Sequence, residues 1–256
     1  RLSCFCIQQT DIQDSCMYPD ALAVQPCPHL PRIQSPGLPG NKEQAMTRSA
    51  DWYFDFISPY SYLQFKHFHR LPASLEVYLV PVLFAGLLNH WGHKGPAEIP
   101  AKRVEMYRYC HWYAGRLGIS FRTPPAHPFN PLKVLRLAIA LEANHRAVET
   151  IFDYIWAEGN DIHTQEGFAA LVARLGVTDA DDRISSTTVK QALRDNTEQA
   201  VAAGVYGTPT FVIDGQLFWG FDRTEMLLEY LENPMLFKSQ EMRRLADVPM
   251  AAERRR

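Results

Sequence analysis

Hydrophobic and polar positions divide the chain into three regimes. Residues 1–45 follow neither the period of a strand nor that of a helix and are rich in Pro and Gln. Such a stretch cannot gather an apolar face, so residues 1–46 are expected to form a poorly ordered N-terminal extension. Trp52-Tyr53-Phe54-Asp55-Phe56-Ile57 is aromatic and β-branched and reads as a strand. The run from Tyr62 to Leu71 reads as an amphipathic helix, and Leu75 to Val82 begins with the alternation of a second strand. Strand, helix, strand at this spacing predicts a parallel pair joined by a right-handed crossover.

From about Phe84 to Gly204 the pattern becomes helical. Candidate helices are Lys102 to Leu117 before Gly118, Pro131 to His145, Ala147 to Glu158, Gln165 to Leu175 before Gly176, and Thr187 to Ala203 before Gly204. A glycine just past a helix end accepts the left-handed conformation that closes it. The β pattern resumes at Thr210-Phe211-Val212-Ile213, turns at Asp214-Gly215 and returns through Gln216-Leu217-Phe218-Trp219, a hairpin. A last helix is expected from Asp222, with Glu225 completing a capping box. The predicted fold is α/β: residues 50–83 and 205–233 form one domain, an all-helical insertion occupies 84–204, and 234–256 are a loose tail.

Charge and composition narrow the partners. The 256 residues carry a net charge of −2 with both signs interspersed, which favours neither nucleic acid nor an anionic membrane. No apolar stretch approaches the roughly 20 residues of a membrane span, and no charged start leads into a continuous apolar signal core, so a soluble, cytoplasmic protein is expected. Met46-Thr47-Arg48-Ser49 resembles a natural start. Cys4, Cys6, Cys16 and Cys27 lie in the extension, at spacings that fit no common zinc site. Cys110 stands by itself in the globular part and reads as a small buried hydrophobe. His67 with His69 and His90 with His93 lack acidic or cysteine partners at ligand spacing, so no metal is expected.

Two short segments far apart in the chain carry the candidate chemistry: Ser58-Pro59-Tyr60-Ser61 and Gly207-Thr208-Pro209-Thr210. The first is a strand-to-helix turn, which aims free backbone N–H groups and the positive end of a helix dipole at an anion such as a thiolate. Taken by itself, Ser58-Pro59 is also an ordinary helix start, an N-cap followed by proline. Together the segments outline a thioredoxin-like active site without its Cys-x-x-Cys. Ser58 and Ser61 stand where the two cysteines would, and a hydroxyl cannot cycle through a disulfide. It can donate a hydrogen bond to a thiolate brought by another molecule. The turn therefore reads as a site that borrows its sulfur.

Phe54-Asp55-Phe56-Ile57-Ser58-Pro59-Tyr60-Ser61-Tyr62-Leu63, Trp91-Gly92-His93-Lys94-Gly95-Pro96, Val205-Tyr206-Gly207-Thr208-Pro209-Thr210 and Trp219-Gly220-Phe221-Asp222-Arg223 together resemble the 2-hydroxychromene-2-carboxylate isomerase family. That family is similar to kappa-class glutathione transferases and lies in the DsbA-like branch of the thioredoxin fold. The resemblance spans about residues 50–233 and implies glutathione as cofactor, a small aromatic carboxylate as substrate and a homodimer. It implies that Ser58 is catalytic and that glutathione is held by Ser58, Pro59, Tyr60, His93, Thr208, Phe221 and Asp222. Pro59 and Tyr60 come from the turn itself. A cis peptide before Pro209 would expose the Thr208 backbone to the cysteinyl part of the ligand, and Phe221 and Asp222 would meet its γ-glutamyl end. His93 takes the place of an asparagine common in the family, and Asp222 reads equally well as an N-cap. Lys94 is near enough in sequence to answer a carboxylate. The implied reaction is reversible addition of the thiolate to a conjugated substrate, rotation about the resulting single bond, and elimination to trans-o-hydroxybenzylidenepyruvate, as in naphthalene degradation. A kappa-type transferase, a DsbA-like oxidoreductase lacking its cysteines, and a noncatalytic glutathione- or peptide-binding module are the alternatives. Tyr107, Tyr109, Trp112 and Tyr113 read mainly as helix packing, with part of the run available to wall an aromatic pocket.

Overall fold

The computed structural model describes residues 48–252, so the extension through residue 46 lies outside the described residues. The elements in chain order are β1 (Arg48–Phe54), α1 (Pro59–Lys66), β2 (Leu75–Pro81), α2 (Phe84–Trp91), α3 (Pro100–Leu117), α4 (Leu132–Ala140), α5 (His145–Phe152), α6 (Gln165–Arg174), α7 (Ala180–Ser185), α8 (Thr187–Ala202), β3 (Thr210–Ile213), β4 (Gln216–Trp219), α9 (Thr224–Glu232) and α10 (Gln240–Leu245). The sheet order is β2-β1-β3-β4. β1 runs parallel to β2 and antiparallel to β3, and β3 pairs antiparallel with β4. Asp214 and Gly215, at φ 51° and 73°, make the hairpin turn, as an Asp-Gly pair does most readily.

Alternation along β1 sends Trp52 and Phe54 to one face of the sheet and Tyr53 to the other. Trp52 and Phe54 are fully buried and stack at 4.6 Å, with Phe152 of α5 at 5.6 Å from Phe54. On the opposite face Tyr53 joins Val82, Leu87, Ala200 and Val205, contributed by α2, α8 and the adjoining loops. Helices therefore cover both faces of the central strand. That explains a run of residues too uniformly apolar for a half-exposed strand.

Four local expectations are not met, two through short-range side-chain caps and two through tertiary contacts. The first strand ends at Phe54 and not at Ile57, because the Asp55 carboxylate takes the Ile57 N–H at 3.0 Å and folds the chain into a turn. α1 is not amphipathic: Ser61, Tyr62, Leu63, Gln64 and Phe65 are all buried, and the helix stops at Lys66, with a separate 3₁₀ turn at Phe68–Arg70. The helix expected from Pro131 to His145 breaks after Ala140, where Glu142 and Ala143 adopt positive φ, and Asn144 caps a new helix by accepting from the Ala147 N–H. The capping box at Asp222 does not form. Residues Phe221–Arg223 make a 3₁₀ turn, α9 starts at Thr224, and Glu225 instead pairs with Arg70 of the turn after α1. Beyond residue 234, Phe237 packs on Tyr230 at 5.3 Å and Phe218 at 5.9 Å, so the segment begins with an anchor before the exposed α10.

One buried amide ties these parts together. Gln64, 1% exposed, accepts from the Trp52 indole at 2.7 Å and donates to Gly220 O and Thr224 Oγ1, both at 3.2 Å. Gln64→Ala would strand the buried indole N–H and take one donor each from Gly220 O, which keeps the Arg223 N–H, and from Thr224 Oγ1, which keeps its bond to Phe221 O. A loss of about 2–4 kcal/mol is expected as a lower urea midpoint; a midpoint change worth less than about 0.5 kcal/mol would show that the amide joins nothing of consequence.

Candidate active site

The turn between β1 and α1 is built by side-chain bonds to its own backbone. Asp55, fully buried, accepts from Ile57 N at 3.0 Å and from Phe84 N, at the start of α2, at 2.9 Å. Burial pushes its carboxyl up to about 7, against the pull of the hydrogen bonds from Ile57, Phe84 and Phe56. Two carbonyls of the turn are held by the helical insertion: Trp156 Nε1 donates to Phe56 O, and His127 Nε2 meets Ile57 O, each at 2.8 Å. Ser58 then caps α1, its Oγ accepting from the Ser61 N–H at 3.2 Å, with Pro59 at N1.

The second segment meets the first at this cap. The Thr208–Pro209 peptide is cis, and Ser58 Oγ donates to Thr208 O at 3.2 Å across a separation of 150 residues. Thr210 Oγ1 donates to Gly207 O at 2.7 Å, and Gly220 N donates to Pro209 O at 2.8 Å, fixing the turn on both sides. Gly207 is required by proximity: a β-carbon there would sit 2.4 Å from the Trp219 indole nitrogen. Trp91 Nε1 donates to Val205 O at 2.9 Å, so the Trp91 motif is also tied to this turn. All four sequence motifs thus converge on one place.

The candidate residues fall into two groups. Ser58, Pro59 and Thr208 meet at the cap, and Tyr60 lies flat on Phe221 at 5.8 Å and 7°. Tyr113 and Tyr109 of α3 approach Phe221 at 4.8 and 6.3 Å, giving an aromatic wall. Desolvation raises the Tyr60 phenol, aided by Cys110, Glu105 and Asp222, so it remains a donor. Asp222 pairs with its neighbour Arg223, and Asp222 Oδ1 occupies the space where a β-carbon on Gly220 would stand. His93 and Lys94 are exposed, and no contact among the described residues brings the His93 ring to Ser58 or Thr208; its backbone N–H closes α2 on Leu88 O at 3.1 Å.

The cap has unused hydrogen-bonding capacity. Ser61 Oγ and Thr208 Oγ1 are buried without partners. The Thr208 carbonyl, expected to be free for a ligand, is instead taken by Ser58. Asp55, Trp156 and His127 were not among the residues singled out from sequence. Asp55 carries a visible signal, a carboxylate inside an apolar run, whereas nothing local marks His127 or Trp156. Cys110, one of the candidates for bland core packing, is fully buried and burial pushes its thiol up to about 12.

A family model for the DSBA-like thioredoxin domain matches residues 50–232. The chain belongs to this DsbA-like family. Within it, the chain is 30% identical to glutathione S-transferase kappa 2 of Caenorhabditis elegans, over 72% of this chain and 91% of that protein. It is 28% identical to the 2-hydroxychromene-2-carboxylate isomerase of Sphingobium xenophagum, over 73% of this chain and 99% of that one. A solved 2-hydroxychromene-2-carboxylate isomerase superposes with a TM-score of 0.63 at 21% identity, covering 79% of this chain and 100% of that chain, which shows the shared fold. In this DsbA-like chain the turn between β1 and α1 carries Ser58 and Ser61 and no cysteine.

The buried Asp55 gives a signed pH effect. Its folded pKa, about 7, lies above the unfolded value of 3.8, so the folded state binds the proton more tightly. Its contribution is most favourable below about pH 4, declines as pH rises through 7 and is constant above, a span of at most about 4 kcal/mol. The difference in unfolding free energy between wild type and Asp55→Asn, measured in urea from pH 4 to 8, is expected to fall across that window. Parallel curves would mean that Asp55 does not titrate there.

Proposed function

We propose that the protein is a glutathione-dependent isomerase acting on 2-hydroxychromene-2-carboxylate or a related aromatic catabolite. The observation that carries this reading is the Ser58 cap held against Thr208 at 3.2 Å: an anion site at a helix N-terminus with no thiol of its own. Cys110, the one cysteine among the described residues, is fully buried and unsuited to serve as nucleophile. The unpartnered hydroxyls of Ser61 and Thr208 fit a polar ligand in the cap. Support comes also from relatives named as kappa glutathione transferases and as 2-hydroxychromene-2-carboxylate isomerases.

Ser58, Thr208, Phe221 and Asp222 would hold glutathione, with Pro59 and Tyr60 shaping the turn. When bound, glutathione supplies a thiolate able to add reversibly to a conjugated double bond. Ser58 would redirect its hydroxyl proton from Thr208 O to the anion, and the first-turn N–H of Tyr60, which has no intrahelical partner, adds the positive end of the helix dipole. Tyr60, Phe221, Tyr109 and Tyr113 present an aromatic wall for a planar substrate and exclude water from one side. A kappa-type transferase is the second reading, favoured by the 30% identity to a protein of that name.

Incubation of 2-hydroxychromene-2-carboxylate with the protein, followed by ultraviolet absorbance, separates these. Conversion to trans-o-hydroxybenzylidenepyruvate that requires glutathione but leaves its concentration unchanged is the expected result, and consumption of glutathione would favour the transferase. Ser58→Ala should lower kcat about 10²-fold, the usual cost of one preorganised donor. Full activity in that variant would remove Ser58 from the reaction.

A further inference from the structure

The Ser58 cap is steered by the helical insertion through a single histidine. A peptide unit is planar, so the direction of Ile57 C=O fixes the plane of the Ser58 N–H, which closes the turn on Asp55 O at 3.1 Å just before the cap. His127 Nε2 lies 2.8 Å from Ile57 O. A carbonyl only accepts, so Nε2 carries the proton. The neutral ring's Nδ1 is then an acceptor, and the Tyr107 hydroxyl at 2.8 Å donates to it. His127 O, 3.1 Å from the same hydroxyl, is the more distant of the two acceptors for its single proton. The ring packs edge-on against Trp156 at 5.3 Å, and Trp156 holds the preceding carbonyl, Phe56 O. Burial, with Arg103 nearby, depresses the His127 pKa and keeps the imidazole neutral and in this tautomer near pH 7.

Tyr107 sits on α3, two residues before Tyr109, whose ring meets Tyr60 and Phe221. One hydrogen-bonded chain, Tyr107 to His127 to Ile57, therefore sets the distance between the aromatic wall and the helix N-terminus. We propose that His127, oriented by Tyr107, is a positioning residue that aims the Ser58 hydroxyl and the first-turn N–H groups at the bound sulfur. As regards the sulfur, this rests on the glutathione reading above.

Three variants test it: His127→Leu removes the donor, His127→Gln keeps an N–H in the place of Nε2, and Tyr107→Phe removes only the hydroxyl that holds the ring at Nδ1. In His127→Leu the thiol of bound glutathione, titrated by thiolate absorbance, should rise by about one pH unit. At a pH below that value kcat should drop about tenfold, with the KM for glutathione within about twofold. His127→Gln should recover most of the loss, and Tyr107→Phe should shift both readouts about threefold in the same direction. Amide hydrogen exchange at Ser58 and Ser61 is a readout that needs no ligand: about tenfold faster in His127→Leu and near wild type in His127→Gln. If wild type binds no glutathione, the functional reading fails, and exchange decides the positioning role unaided. Unchanged exchange, or equal effects of Leu and Gln, would overturn it. Should His127→Leu not fold, the Tyr107→Phe and His127→Gln pair decides: a wild-type thiol pKa and exchange rate in Tyr107→Phe would overturn it.

Discussion

The contact between Ser58 Oγ and Thr208 O, 3.2 Å across 150 residues of sequence, is the constraint around which the rest of the structure is arranged. Neither segment is a site without the other: Ser58 alone is a helix cap, and Thr208-Pro209 alone is a turn before a strand. They meet because β1 pairs with β3 in the register that sets Tyr53 beside Thr210, so the chain leaving β1 and the chain entering β3 emerge at the same sheet end. That register is held by aromatic burial on one face, where Trp52, Phe54 and Phe211 gather, and by Tyr53 with Val205 on the other. A one-residue slip would exchange those faces, so the apolar pattern of β1 specifies the site geometry as well as the core.

The helical insertion is part of the same device. Trp156 and His127 reach from it to the carbonyls of Phe56 and Ile57, and Asp55 answers from below with its two backbone partners. The turn is thus held by groups around it, while the buried hydroxyls of Ser61 and Thr208 have no hydrogen-bond partner among the described residues. A polar ligand there would satisfy groups that are otherwise buried at a cost. On the proposed reading, serines in such a frame keep the anion-stabilising half of thiol chemistry, while a hydroxyl cannot carry the redox half.

Much of this was legible in sequence wherever a local rule decides the outcome. The Ser58-Pro59 start of α1, the Asp214-Gly215 hairpin and the glycines closing α3 and α8 follow from backbone preferences that few contacts override. Asp55 ended the first strand early, Arg70 drew Glu225 away from a capping box, and burial on most sides removed the amphipathic pattern expected of α1. Asp55 acts on Ile57 only two residues away, whereas the last two are decided by partners distant in sequence, which no local pattern announces. His127 is the extreme case, because its role depends on Ile57, 70 residues away.

The proposed function makes one demand on the ligand of the cap: the thiol must ionise more readily when bound. The most direct test is the thiolate absorbance of glutathione bound to the wild-type protein, titrated against pH beside free glutathione. An apparent thiol pKa below about 7, against roughly 8.5 for an ordinary free thiol, is the predicted result. A bound thiol that titrates like the free one would contradict the account, since the helix N-terminus and the Ser58 hydroxyl would then be doing nothing for the sulfur.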